Sequence, residues 1–475
     1  MRAFQRAIGI SEAEIIELLH IRDREQLRPD PEMRLRRTDI ELQQPDPTDL
    51  DDLLAAGLDK LVSRVDPAWL RAEALKPYRL GAAFLNNPLH LVNGVRVGTN
   101  LEANTAQRFA QMLLVSQDRL ANRPDTDFFA AAMFLPEVAV LGNSLGEIKA
   151  LGPEAEHKLA ALPSMADDQV SSTIYELLVG AAGIRKGLNL TMVPENRSRK
   201  VPDFQVSGLG PIPGAIECKR RLGLTLYEHD EASRVEALYN SVRPLLRERG
   251  VHGAIETTFG VPLSSVPSGA FSEAVFAAIK SGHPETSIST DWGTVRFSPL
   301  PHRRSIFEAP LYSPDYLVQV FGWNPLQDEW DGILAEVEAP MEITTELFTM
   351  PLCLKWRNEA DEALKRKARG ITSLWGDAIK QIPDGDVGFV YIAYPEGSRP
   401  AVADARTDYI MKTMPDVFHR WSVRVPATIV NRLYPRPLGR GRPDIIENVM
   451  LIASQGEEHW LKRLPARVFT GELGH

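Results

Sequence analysis

The sequence predicts a mixed α/β protein with a helical N-terminal domain, a core of αβββαβ order and a C-terminal α/β region. Three observations predict it. Apolar residues recur at helical spacing from about 50 to 165; the pattern switches near residue 171 to short strands joined by a Gly/Pro-rich stretch; beyond 260, strands and helices continue to alternate. With 44% hydrophobic and 25% charged residues, the 475-residue chain has the composition of a folded globular protein, and its length calls for several units. Four are expected: an N-terminal helix and linker over 1–49, a helical domain over 50–165, an α/β domain over 166–300 and a C-terminal α/β domain over 301–475.

Residues 1–21 read as an amphipathic helix capped by Ser11 ahead of Ile15, Ile16, Leu18 and Leu19. Residues 22–49, with Pro29-Asp30-Pro31 and Pro45-Asp46-Pro47, read as an exposed linker. Leu53, Leu54, Leu58, Leu61 and Val62, then Phe109, Met112, Leu113 and Leu114, mark the helical domain. A helix over Ser171–Gly183 leads to strands at Leu188–Val193, Asp203–Ser207 and Ala215–Lys219. A long helix, Glu231–Arg249, and a strand, Gly253–Phe259, complete the αβββαβ order. Further on come a helix at Ser272–Lys280, strands near Thr294–Ser298, Tyr316–Phe321 and Pro351–Trp356, a charged helix from Asn358 to Ile382 and a strand at Gly388–Ala393. Strand, Lys, long helix, strand thus occurs twice, at 215–259 and 351–393. A diverged second copy of the core is one reading of the C-terminal part; a separate recognition domain is the other.

Several classes are disfavoured. Two distant cysteines, Cys218 and Cys353, offer neither a disulfide framework nor a zinc cluster and fit a reducing, cytoplasmic setting. No signal-peptide pattern opens the chain, and the longest apolar run, Phe128–Gly142, holds Pro136 and Glu137 and is too short for a membrane span. The net charge of −9 excludes a uniformly basic surface, yet residues 185–249 carry twelve Lys or Arg against eight acids. A local basic groove is compatible with that distribution.

The chemistry concentrates at Pro202-Asp203 and Glu217-Cys218-Lys219. Alternation along a strand puts Glu217 and Lys219 on one side and Ile216 and Cys218 on the other. On the preceding strand Phe204 and Val206 face the core, which leaves Asp203 beside Glu217. Two adjacent carboxylates repel, and a divalent ion with a preference for oxygen ligands, Mg2+ or Mn2+, relieves the repulsion. An ion there can polarise a phosphate oxygen while a lysine orients water.

"VPDFQV" and "IECKR" resemble the motif of the PD-(D/E)XK nuclease superfamily over residues 170–260. The resemblance implies a restriction-endonuclease-like fold, metal ligation by Asp203 and Glu217, and Lys219 as the catalytic lysine. It also implies a supporting metal ligand on the preceding helix, where Glu176 is the lone charge between Asp168 and Arg185. The expected activity is Mg-dependent phosphodiester hydrolysis on DNA, in restriction, defence or repair. A homodimer or partner subunits would allow double-strand cutting. The competing readings are a nucleic-acid-binding or assembly protein without turnover and, third, an RNase.

Two plainer readings stand beside these roles: Glu217 and Lys219 as a surface ion pair, and Glu176 as an exposed residue opposite the apolar stripe of its helix. Arg185, Lys186, Arg220 and Arg221 are candidate phosphate contacts or an ordinary solvated cluster. A second match, Pro124-Asp125 with Glu147 and Lys149, lacks a hairpin. His229 and His252 lack ligand spacing, and "RPLGRGRPD" over 436–444 reads as a turn-rich connection or a basic loop. Lys355 in "PLCLKWR" repeats the lysine of the motif, but Cys353 stands where the acid would be, so that copy lacks a metal ligand.

Overall fold

A computed structural model describes residues 35–40, 47–76, 78, 89–92, 95–97, 105–123, 128–196, 201–208, 213–221, 225–283, 286–301, 303–305, 314–323, 329–338, 347–383, 385–396, 399–421, 424–438, 442–454 and 462–469. The expected helix over 1–21 lies outside the described residues. Within 22–49, described only in part, Leu35–Ile40 forms a strand, β1, and Pro47 opens helix α1 (Pro47–Val62).

Between 67 and 165 the helices are α2 (Pro67–Ala74), α3 (Arg108–Leu120), α4 (Phe128–Asn143), α5 (Leu145–Ala150) and α6 (Pro153–Ala161), with short strands β2 (Leu89–Val92) and β3 (Val95–Val97) between α2 and α3. Next come α7 (Asp167–Arg185), β4 (Asn189–Met192), β5 (Phe204–Ser207), β6 (Gly214–Arg220), α8 (Leu226–Glu248) and β7 (Gly253–Phe259). The order then runs α9 (Ser268–Ser281), β8 (Ser287–Thr290), β9 (Gly293–Pro299), β10 (Arg303–Ser305), α10 (Pro314–Phe321), β11 (Gly332–Glu338) and β12 (Leu347–Asn358). Helix α11 (Asp361–Ile379), β13 (Val387–Pro395), α12 (Pro400–Trp421), β14 (Arg424–Leu438) and β15 (Arg442–Ser454) follow.

The strands form two mixed sheets. The first is ordered β1-β15-β14-β13-β6-β5-β4; the second runs β3-β2-β11-β12-β7-β9-β8, with β10 on β12. Each face of the first sheet is covered. Residues of α1 and α3 to α7 join Phe204, Val206, Ile216 and Cys218 in one core. Ile371, Trp375, Ala378 and Ile379 of α11 pack with Ala215, Val390 and Ile392 on the other. Helices α8 and α9 cover one face of the second sheet through Val235, Leu238, Phe271 and Val275. The helices of 50–165 are therefore a layer of the first sheet, sharing its core with strands from both later regions.

The topology departs from the expected closure by Gly253–Phe259. The parallel neighbour of β6 is β13, in register from Val387↔Gly214 to Ala393↔Arg220. The strand that follows α8 lies in the second sheet, parallel to β12 from Gly253↔Leu352 to Phe259↔Asn358. The two strand–helix–strand segments noted at 215–259 and 351–393 have thus exchanged their closing strands. Hydrophobic periodicity identifies a strand but says nothing about which sheet receives it.

Tyr316–Phe321, expected as a strand, is helical in α10. Pro314 starts the helix with its φ already suitable, and buried Val320 and Phe321 follow Leu317 at helical spacing while Val318 is exposed. Helix α8 starts earlier than expected because Thr225 and Glu228 close a capping box.

Candidate active site at the β5–β6 hairpin

Helix α7 lies against the hairpin where Gly180 allows close approach. A Cβ there would stand 2.8 Å from Phe204 Cε1 and 2.6 Å from Leu151 Cδ1. One turn earlier on the same face is Glu176. Its carboxylate is mostly buried and accepts a hydrogen bond from Lys158 Nζ on α6 at 2.8 Å. This is not the exposed position that the helical wheel allowed, because α6 and its lysine cover that side.

Asp203 ends the segment entering β5, and the pairing of Phe204 with Ile216 sets it opposite Glu217. The Asp203 N–H donates to Glu217 Oε2 at 3.2 Å, and Asp203 Oδ2 accepts from the Cys218 N–H at 2.7 Å. Lys219 Nζ donates to Glu217 Oε1 at 2.5 Å. A donor that no sequence pattern marks, Gln381 Nε2, reaches the same oxygen from the end of α11. Asp203, Glu217 and Lys219 are together. The Glu217 side chain is 1% exposed, which removes the surface-pair reading for that carboxylate.

Burial dominates the electrostatics. Desolvation pushes the Asp203 carboxyl well above its ordinary range, and the charges of Glu176 and Glu217 push it further. Desolvation likewise raises Glu217, to about 7, against the opposing pull of Lys219. Glu176 is raised by burial, with Lys158 opposing. For Lys219 burial disfavours the ammonium, but Glu217 and Asp203 outweigh it and its pKa rises. Lys158 rises in the same way, burial being outweighed by Glu176, Asp203 and Glu195.

The donor set is oxygen only, and two buried carboxyls face each other across a hairpin. Those residues fit a hard divalent ion, which would relieve both desolvation and repulsion. Among the described residues, however, no group of three or more His, Cys, Asp or Glu side chains stands in position to hold one ion. Asp203 and Glu217 form the pair; Glu176 is near enough to raise both yet is held by Lys158. Beside Glu176 opens a cleft of about 560 Å³, lined in part by Asp168, Gln169, Ser172 and Glu195.

The expected phosphate contacts divide. Arg220 is not solvated: its guanidinium is 1% exposed, pairs with Glu137 of α4, donates to the Ser171 carbonyl at 3.1 Å and lies 5.0 Å over the Phe469 ring. No local pattern marks this pair, since Glu137 is 83 residues away. Arg221 is half-buried against Gly370 of α11. Arg185 donates to Ser144 Oγ at 2.7 Å, and Lys186 is exposed at the end of α7. His229 and His252 join no group able to hold a metal among the described residues.

In the second sheet, Lys355 of β12 lies 3.3 Å from Glu256, which β7 supplies across the parallel pair and which Arg296 of β9 also binds. Cys353 is fully buried. The acid beside this second lysine comes from the neighbouring strand and is spent on two cations. Among the described residues no helix is long and apolar enough to cross a membrane. Comparison with protein-family models, curated proteins and solved structures finds no match.

Proposed function

We propose that the chain is a metal-dependent nuclease with a restriction-endonuclease-like core that hydrolyses phosphodiester bonds in DNA. One observation carries the reading: Asp203 and Glu217 oppose each other on antiparallel strands, with Lys219 two residues along the same strand face and bonded to Glu217. Asp203 and Glu217 would hold a Mg2+ or Mn2+ ion. When bound, the ion supplies positive charge to the scissile phosphate and lowers the pKa of a coordinated water. Lys219, two residues from Glu217 on the same strand face, would hold the attacking water and steady charge developing on the phosphate oxygens. Gln381 donates to the same Glu217 oxygen as Lys219 and helps fix that carboxylate.

A second reading, nucleic-acid binding without turnover, is favoured by the engagement of Glu176 with Lys158, which leaves two carboxylates instead of three at the hairpin. Plasmid cleavage separates the two. With Mg2+ or Mn2+ the wild type should nick supercoiled DNA, chelator should abolish nicking, and Lys219→Ala should slow it by roughly 10²- to 10³-fold, the cost of losing one group that stabilises developing charge. Undiminished cleavage by Lys219→Ala, or metal-independent binding with no cleavage of DNA or RNA, would refute the nuclease proposal.

A further inference from the structure

Lys158 is a charge that the hairpin chemistry does not use. It sits on α6, its side chain 7% exposed, 2.8 Å from Glu176 and 3.3 Å from Glu195, which is itself 82% exposed at the rim of the cleft. Asp203 also acts on it through space. A mostly buried ammonium and carboxylate are strongly held together, because separating them leaves each desolvated without a partner. The interior of the site therefore contains Glu176, Asp203 and Glu217 against Lys158 and Lys219, which leaves one formal negative charge. A single divalent ion reverses that sign; a second would enter a site already positive.

We propose that Lys158 is a built-in cation that keeps Glu176 out of the metal group and limits the site to one divalent ion, held by Asp203 and Glu217. The inference rests on the metal-binding part of the proposed function. It also accounts for a feature that otherwise conflicts with that reading: Glu176 is close enough to influence both carboxyls, yet no three-ligand group forms. Lys158 is a positioning residue here, acting on Glu176 and not on the phosphate.

Titration with Mn2+ alone, following free ion by electron paramagnetic resonance, tests the proposal without any cleavage assay. Wild type should bind one ion. Lys158→Met keeps most of the aliphatic stem and removes the charge, so Glu176 becomes available; the variant should bind a second ion or hold one about tenfold more tightly, or better. Adding Glu176→Gln to Lys158→Met should return binding to the wild-type number and affinity. Equal binding by wild type and Lys158→Met would overturn the proposal. So would a gain that persists in the double variant, which has the wild-type net charge and lacks the Glu176 carboxylate. If Mn2+ binds neither protein, the metal-binding reading falls with it; if both bind equally, only the role of Lys158 falls. Should Lys158→Met not fold, Lys158→Gln poses the same comparison.

Discussion

Arg220 stands next to the candidate catalytic lysine and reads in sequence as a phosphate contact, so replacing it by Met separates two roles. In the structure its guanidinium meets Glu137, the Ser171 carbonyl and the face of Phe469, and both charged side chains are almost wholly buried. Met keeps the stem and removes the charge, leaving a carboxylate 2% exposed with its counter-ion gone. Stripping one partner from a buried pair costs about 3–5 kcal/mol, and the lost contact with Phe469 adds roughly 0.5–2 kcal/mol. Urea unfolding of wild type and Arg220→Met should show a loss of at least about 3 kcal/mol, the low end of that range. Adding Glu137→Leu should recover about 2 kcal/mol or more, because the double variant no longer buries an unpaired charge. If instead Arg220→Met changes stability by less than about 0.5 kcal/mol, as surface substitutions do, the buried pair is not what holds these elements together. A simultaneous fall of about one in the salt slope of DNA binding would then assign Arg220 to phosphate.

Two further outcomes follow from burial. Glu217 has its pKa raised from 4.5 to about 7 by desolvation, so the folded chain holds a proton that the unfolded chain releases; metal-free stability should fall as pH rises from about 4.5 through 7, by on the order of 2–3 kcal/mol, and Glu217→Gln should flatten that stretch of the pH–stability curve. An unchanged slope in Glu217→Gln would refute the assignment. Gly142→Ala should destabilise by roughly 1–3 kcal/mol or more, because its Cβ would lie 2.1 Å from the Gly57 carbonyl oxygen where α1 and α4 touch; thermal melting that stays within a degree of wild type would show that the helices part freely.

The site was legible to the extent that its geometry is local. Alternation along β5 and β6 places Phe204, Val206, Ile216 and Cys218 in the core and leaves Asp203, Glu217 and Lys219 together, and the structure agrees. Glu176 could be singled out as an isolated charge, but not its surroundings, since Lys158, which binds it, and Asp203, whose carboxyl it raises, meet it only through tertiary packing. Arg220 and Gln381 fail for the same reason, their partners lying 83 and 164 residues away. The strand β1 was hidden because LRRTDI shows no apolar alternation; it is recruited by pairing with β15. The start of α8 was placed too late, at Glu231, although its signal is local: Thr225-Leu226-Tyr227-Glu228 is a capping box that starts the helix ahead of its apolar stripe.

The exchanged closing strands change what the candidate site depends on. Helix α8 leaves the first sheet just beyond Lys219 and delivers β7 beside Lys355; α11 leaves the second sheet just beyond Lys355 and delivers Gln381 to Glu217 and β13 to β6. Between the two helices lies a buried group of charges. Lys367 of α11 binds Glu231 of α8 at 2.9 Å and Asp331, ahead of β11, at 2.8 Å; Arg399 also binds Asp331, and Asn358 donates to Glu231. Removing any one member strands its partners in a desolvated setting, at a cost of several kcal/mol, so the helices are held in register where they cross. Gln381 lies fourteen residues beyond Lys367, nearly all of them on the same helix, so its position against Glu217 is referred back to the second sheet. A continuous helix transmits displacement along its axis far more readily than a loop. The second sheet, although its own acid and lysine are neutralised by each other and by Arg296, therefore contributes to the first site by fixing one of the three donors that orient its central carboxylate.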